Sequence, residues 1–151
     1  MQTFAVFCAL GTLGGGAGTA AILAYILVGA VGVPVYAEFT GGLGILFGYT
    51  GGYFAGFIFS GLVYWLITNF FGNKLIVQIF AMTAGMIVCY LLGTLWFMFV
   101  SASNGSHTGF ISALAMCVLP YVIPDALKIS LAIVISRRLS KYVRLEKQTA
   151  A

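Results

Sequence analysis

Two ionisable side chains, Asp125 and Lys128, stand three residues apart in the largely apolar stretch 120–128. Placing either charge in hydrocarbon costs about 3 kcal/mol, so the pair predicts a functional site. On a helix this spacing puts both side chains on one face. The ammonium could then hold a carboxylate, and Asp125 could accept hydrogen bonds from ring N–H groups. The chemistry suits an organic anion with a polar head.

A helix must position this pair. Pro124 favours a helix start, and Asp125 could cap its first turn. A helix from 125 to about 144 would be roughly 30 Å long, one hydrocarbon thickness. The simpler interpretation is that Asp125 is only a cap and that Lys128 only extends its ammonium to the nearer interface.

The composition predicts an integral membrane protein. Hydrophobic residues make up 62% of the 151 residues and charged residues 7%, with a mean hydropathy of +1.09. We expect one all-α domain over residues 1–151. The net charge of +4 lies in the tail 137–151, which predicts a cytoplasmic C-terminus beside anionic lipid and excludes nucleic acid as the expected partner. The three cysteines and the single His107 lack metal-ligand spacing, so no metal site is expected.

Hydrophobic runs predict helices over 1–13, 17–31, 51–68 and 75–99, with a short one over 110–119 before the last helix. Glycines between 11 and 18 indicate a turn. The irregular segment 35–50 predicts a re-entrant loop or lid, because non-helical backbone at membrane depth must be covered by protein or line a cavity. Glycines spaced by four residues from Gly44 to Gly56 are typical of close helix packing.

Five ordered motifs then resemble one family along essentially the whole chain. They are Gln2-Thr3-Phe4-Ala5-Val6, Gly32-Val33-Pro34-Val35-Tyr36-Ala37, Gly41-Gly42-Leu43-Gly44, Gly48-Tyr49-Thr50-Gly51-Gly52-Tyr53, and Leu119-Pro120 through Asp125 to Lys128, ending in Arg137-Arg138-Leu139. The chain resembles the BioY family, the biotin-binding substrate-specificity (S) components of energy-coupling factor (ECF) transporters.

The resemblance implies a six-helix membrane bundle that captures biotin at its outer face and is not an enzyme. Its implied partners are a transmembrane coupling subunit and two cytoplasmic ATPases, and biotin is a transported ligand rather than a cofactor. Asp125 and Lys128 carry over as biotin-binding residues. The loop that closes over the ligand corresponds to 38–53, from which we expect further ligand contacts at Thr40, Gly41, Gly42 and Tyr53.

Two departures from the family pattern stand out. The predicted helices leave the chain one short of six, with the missing one expected before Gln2, and Tyr49 replaces the proline of a frequent Gly-Pro-Thr run. The alternatives are an S component for another vitamin, an intramembrane enzyme with Asp125 as base, and a purely structural bundle. The enzyme hypothesis lacks a nucleophile, a metal cluster or a second positioned acid.

Overall fold

The chain folds as a bundle of helices. The structure, a computed structural model, describes residues 2–105 and 109–149, the last ten of them by backbone alone. No strand occurs within these ranges. The helices are α1 (Gln2–Leu13), α2 (Gly15–Ala30), α3 (Leu43–Phe47), α4 (Gly51–Phe71), α5 (Leu75–Ser103), α6 (Phe110–Cys117) and α7 (Leu119–Thr149), with a 3₁₀ turn at Ala37–Phe39. The all-α prediction is confirmed.

Three helices among the described residues are long and apolar enough to cross a membrane. They are Gly51–Phe71, Leu75–Ser103 and the part of α7 from Leu119 to Leu139. The helices α1 and α2 are also apolar but shorter, at 12 and 16 residues. Large apolar side chains cover the outside of the bundle, as expected for contact with lipid, among them Leu27, Leu66, Phe70, Phe80, Ile87 and Leu131.

Glycines bring α4 and α5 close together. A Cβ added to Gly56 would lie 2.9 Å from the Cα of Cys89, and one added to Gly52 would overlap the side chain of Trp96. Only residues without side chains permit so close an approach. A Cβ on Gly44 would meet no atom within 4 Å, so the packing interpretation holds for Gly52 and Gly56 but not for Gly44.

The turn between α1 and α2 is shorter than the sequence predicts. Only Gly14 lies between the helices, and its φ of 86° is in the left-handed region that glycine tolerates. Gly15 and Gly18 lie inside α2, where added Cβ atoms would come within 2.5 Å of Trp65 and 2.8 Å of Leu10. The prediction of a longer turn was wrong because these glycines serve helix contacts.

The start of α7 also differs from the prediction. The helix begins at Leu119 with Pro124 inside it, so the expected helix start and cap at Asp125 were wrong. The backbone N–H groups of Tyr121 and Val122 both donate to the carbonyl of Val118, at 2.9 and 3.2 Å. Pro124, in the second turn, has no N–H and so removes one i to i−4 bond, the one to the carbonyl of Pro120.

One end of the bundle is built to hold a site. The N-terminal ends of α1, α4 and α7 and the C-terminal ends of α2 and α5 converge there, and the loop 31–50 covers it. The helices α4 and α5 run longer than predicted, to Phe71 and Ser103. Residues 106–108, which include His107 of the expected outer loop, lie outside the described residues.

Candidate functional site

A cavity of about 650 Å³ lies at the converging end of the helices. Its walls are mostly aromatic and apolar, with a few polar and charged groups, which is the usual character of a small-molecule site. The aromatic members are Tyr36, Tyr49, Tyr53, Phe54, Phe57, Tyr90, Phe97 and Tyr121. The charged members among the described residues are Asp125, Lys128 and Glu38.

Asp125 lies on the cavity wall and is only 4% exposed. Its Oδ1 accepts hydrogen bonds from the Thr3 hydroxyl at 3.2 Å and from the Lys128 ammonium at 2.7 Å. Its Oδ2 accepts a bond from the Tyr90 hydroxyl at 2.6 Å. Three helices therefore fix one carboxylate, and three of its roughly four acceptor positions are in use. A buried charge needs such partners.

Lys128 forms an ion pair with Asp125, as the i, i+3 spacing predicts. Its side chain is 21% exposed, so the ammonium is partly desolvated yet still accessible from the cavity. One N–H is directed to Asp125 and leaves two donors for a ligand. Among the described side chains, Lys128 is the one cation on the cavity wall. Among these side chains, Lys128 is therefore the cationic partner that the wall offers to an anionic ligand.

The loop over the cavity is held by its own hydrogen bonds. Tyr36 is buried, its hydroxyl donates to the carbonyl of Ile26 at 2.7 Å, and its ring centroid lies 4.4 Å from that of Phe54. Burial, and to a smaller extent the nearby Tyr25 hydroxyl, raises the pKa of Tyr36 above its ordinary value. The Tyr36 hydroxyl therefore stays protonated and can donate. The backbone N–H of Tyr36 donates to Thr40 at 3.0 Å.

The structure separates the four predicted loop and helix contacts. Thr40 and Tyr53 line the cavity, whereas Gly41 and Gly42 are not among its lining residues. The N–H of Gly42 donates to the carbonyl of Gly29 at 2.7 Å, and Gly41 packs against the carbonyl of Val33. Gly42 therefore anchors the loop to the end of α2, and Gly41 packs against the start of the same loop. Their predicted contact with a ligand stays a prediction.

Tyr53 and the second half of the loop connect the cavity to its neighbours. The Tyr53 hydroxyl donates to the carbonyl of Cys117 at 3.1 Å and joins α4 to α6. The indole N–H of Trp96 donates to the carbonyl of Gly48 at 2.9 Å. Tyr49 accepts a bond from the Asn104 amide at 3.1 Å. The loop end before α4 is thus tied to α5.

Sequence reasoning missed Thr3 and Tyr90, the two hydroxyl partners of Asp125. Thr3 belongs to a motif that carried the family resemblance, but its position gives no sign of a contact 122 residues along the chain. Tyr90 is the single tyrosine of α5. Its phenol amid apolar residues was the one feature of the sequence that could have indicated a buried hydrogen bond. The described residues contain no group of three His, Cys, Asp or Glu side chains that could hold a metal ion.

Known proteins are similar to this chain along most of its length. The family model described as the BioY family matches residues 1–145. The chain belongs to the BioY family. A Pyrococcus horikoshii protein named probable biotin transporter BioY is 33% identical over 139 residues, which are 92% of this chain and 78% of that protein. Biotin transporter BioY of Thermotoga maritima is 34% identical over 141 residues, 93% of this chain and 79% of that protein.

A solved structure shares the BioY fold of this chain. It is the crystal structure of the S component for biotin from an ECF-type ABC transporter, with a TM-score of 0.82 and 24% identity. The match covers 93% of this chain and 74% of that one. The likeness shows an S-component fold. Three helices of the described part of the chain are apolar enough to span a bilayer, and together with the family assignment they place the chain in a membrane.

Proposed function

We propose that this chain is the biotin-binding S component of an ECF-type uptake transporter. The observation that carries the proposal is the cavity of about 650 Å³, which offers a carboxylate one ammonium, Lys128, inside largely aromatic walls. Biotin combines an apolar thiophane ring and aliphatic chain with a polar cyclic urea and a carboxylate, so a mostly apolar lining with a few polar and charged groups fits it. The names of the BioY relatives support the same ligand.

In this proposal Lys128 binds the biotin carboxylate, and Asp125 holds Lys128 in place. A charge-assisted hydrogen bond in a partly desolvated site is worth more than the same bond in water. The bonds from Thr3 and Tyr90 hold the Asp125 carboxylate before any ligand arrives, so little side-chain ordering remains to be done on binding.

The proposed partners are a transmembrane coupling subunit and two cytoplasmic ATPases, whose ATP hydrolysis would release biotin inward. The S component itself would hydrolyse nothing. We further propose that the chain lies in the plasma membrane with its C-terminus in the cytoplasm. Lys74 precedes α5, and Arg137 and Arg138 lie far along α7, all at the end of the bundle away from the cavity. This distribution follows the positive-inside rule.

Competition binding tests the proposal. Labelled biotin is equilibrated with the detergent-purified chain, and unlabelled biotin, thiamine and riboflavin are added in separate titrations. We expect unlabelled biotin to displace the label while the other two vitamins do not. Displacement by another vitamin at lower concentration than biotin would support the alternative, an S component for that vitamin. No saturable biotin binding would overturn the proposal.

Copurification tests the partners. The chain is coexpressed with a coupling subunit and two ATPases of an ECF module and isolated through a tag on the coupling subunit. We expect all four polypeptides in one complex that takes up biotin into vesicles only with ATP. Recovery of the module without this chain would contradict the proposed assembly and would leave the biotin site untouched.

A further inference from the structure

Glu38 is a carboxylate on the cavity wall for which the site described so far has no role. Among the residues whose side chains the structure describes, Glu38 and Asp125 are the two acidic ones, and both line the cavity. Glu38 is exposed and lies in the 3₁₀ turn of the covering loop rather than on α7. A carboxylate on the wall of a site for an anionic ligand repels that ligand, so its presence there calls for an explanation.

The backbone makes this position more unusual. Glu38 has φ 59° and ψ 30°, in the left-handed region that favours glycine. A side chain at such a φ is strained, and strain of this kind is retained where the structure around it fixes the residue. Any residue but glycine bears the same strain, so the backbone does not explain why this side chain is acidic.

The two charged groups that α7 contributes to the cavity wall already pair with each other. Lys128 and Asp125 are 2.7 Å apart, and Asp125 accepts from Thr3 and Tyr90 as well. The carboxylate of biotin lies on the order of 10 Å from its cyclic urea at ordinary bond lengths. An extended biotin whose carboxylate contacts Lys128 therefore cannot place its urea on Asp125, and the urea N–H groups need another acceptor.

We propose that Glu38 is that acceptor and that it fixes the orientation of the ligand in the cavity. This inference rests on the proposed function. The Glu38 carboxylate accepts a hydrogen bond from a urea N–H, and its negative charge repels the biotin carboxylate from the loop toward Lys128. Lys128 and Glu38 thus match the carboxylate and the urea of the ligand. The repulsion between Glu38 and the biotin carboxylate disfavours the reversed pose.

The test compares biotin with 2-iminobiotin, a ligand of nearly the same shape but a different charge. 2-Iminobiotin replaces the urea by a cyclic guanidine, which is cationic at neutral pH, and keeps the carboxylate chain. Dissociation constants for biotin and 2-iminobiotin are measured on the purified full chain and on Glu38→Gln. Gln keeps the acceptor oxygen and the backbone geometry but removes the charge. We expect biotin to bind about tenfold more weakly to the variant, and 2-iminobiotin to lose at least about tenfold more than biotin does.

Phe39→Gly is the matched control for loop strain. Phe39 also has a positive φ, 54°, but it is 89% exposed and is not among the lining residues. We expect both dissociation constants to stay unchanged in this variant. Equal losses of affinity in Phe39→Gly and Glu38→Gln would assign the effect to loop geometry and overturn the inference.

The remaining outcomes separate the two proposals. Unchanged constants for both ligands in Glu38→Gln, in a chain that binds biotin, would refute the role of Glu38 and leave the biotin site standing. Tighter biotin binding by Glu38→Gln would place the ligand carboxylate near the loop and refute the orientation. Absence of biotin binding by the unsubstituted chain would instead refute the proposed function, whatever the variant does.

Discussion

The hydroxyl of Tyr90 is predicted to stabilise the folded chain by holding Asp125. Tyr90→Phe removes the donor 2.6 Å from Oδ2 and changes little else in volume. A hydrogen bond to a charged group contributes about 1.5–3 kcal/mol, and Asp125, at 4% exposure, has little access to water as a substitute. For a chain of this size that loss corresponds to a fall in melting temperature on the order of 5 °C.

The assay is thermal unfolding of the purified chain in one detergent, and the structure offers a matched control. Tyr64 lies in α4, is 1% exposed, and its buried hydroxyl has no partner within the described residues. Tyr64→Phe removes the same atom from a similarly buried ring and breaks no hydrogen bond, so we expect its melting temperature to be unchanged or raised. Equal melting temperatures for the two variants would refute the reasoning.

A double-mutant cycle locates the effect. If Tyr90 acts through Asp125, then Tyr90→Phe should cost much less in an Asp125→Asn background, with an interaction energy of about 0.5–3 kcal/mol. Additive effects would mean that the tyrosine hydroxyl stabilises the bundle by another route.

Further predictions concern the cation and the helix contacts. Lys128→Ala should weaken biotin binding by about 2–5 kcal/mol, measured by equilibrium binding, because it removes the partner of a desolvated carboxylate; Lys74→Ala, at the other end of the bundle, should not. Near-unchanged affinity in Lys128→Ala would remove this residue from the site. Gly52→Ala should lower stability by about 1–3 kcal/mol, since its Cβ would overlap Trp96, whereas Gly44→Ala, which meets no atom within 4 Å, should not. Similar thermal melts for the two glycine variants would contradict the close packing of α4 and α5.

The helices were predictable because their signals are local. Long apolar runs and the glycines between them identify α1, α2, α4 and α5 within a few residues. The start of α7 was not predictable in this way. Pro124 is a strong local signal for a helix start, but α7 begins five residues earlier and continues through it, at the loss of one backbone bond. A local preference was outweighed by the cost of ending a helix among apolar neighbours.

The site was predictable only in part. The pair of Asp125 and Lys128 follows from helical spacing and from the cost of charge in a membrane, both readable from sequence. The bonds from Thr3 and Tyr90 depend on how α1 and α5 pack against α7, which spacing does not encode. The role of Gly42 is likewise set by a contact with another element, the carbonyl of Gly29.

The most direct test asks whether biotin occupies the cavity itself. Cys117 lines it and is partly exposed, whereas Cys8 is partly exposed but is not among the lining residues. The purified chain is treated with a maleimide with and without saturating biotin, and modification of each cysteine is followed by peptide mass spectrometry. We predict that biotin slows modification of Cys117 in proportion to occupancy and leaves the rate at Cys8 unchanged. An unchanged rate at Cys117 in a chain that binds biotin would place the ligand elsewhere and contradict the account.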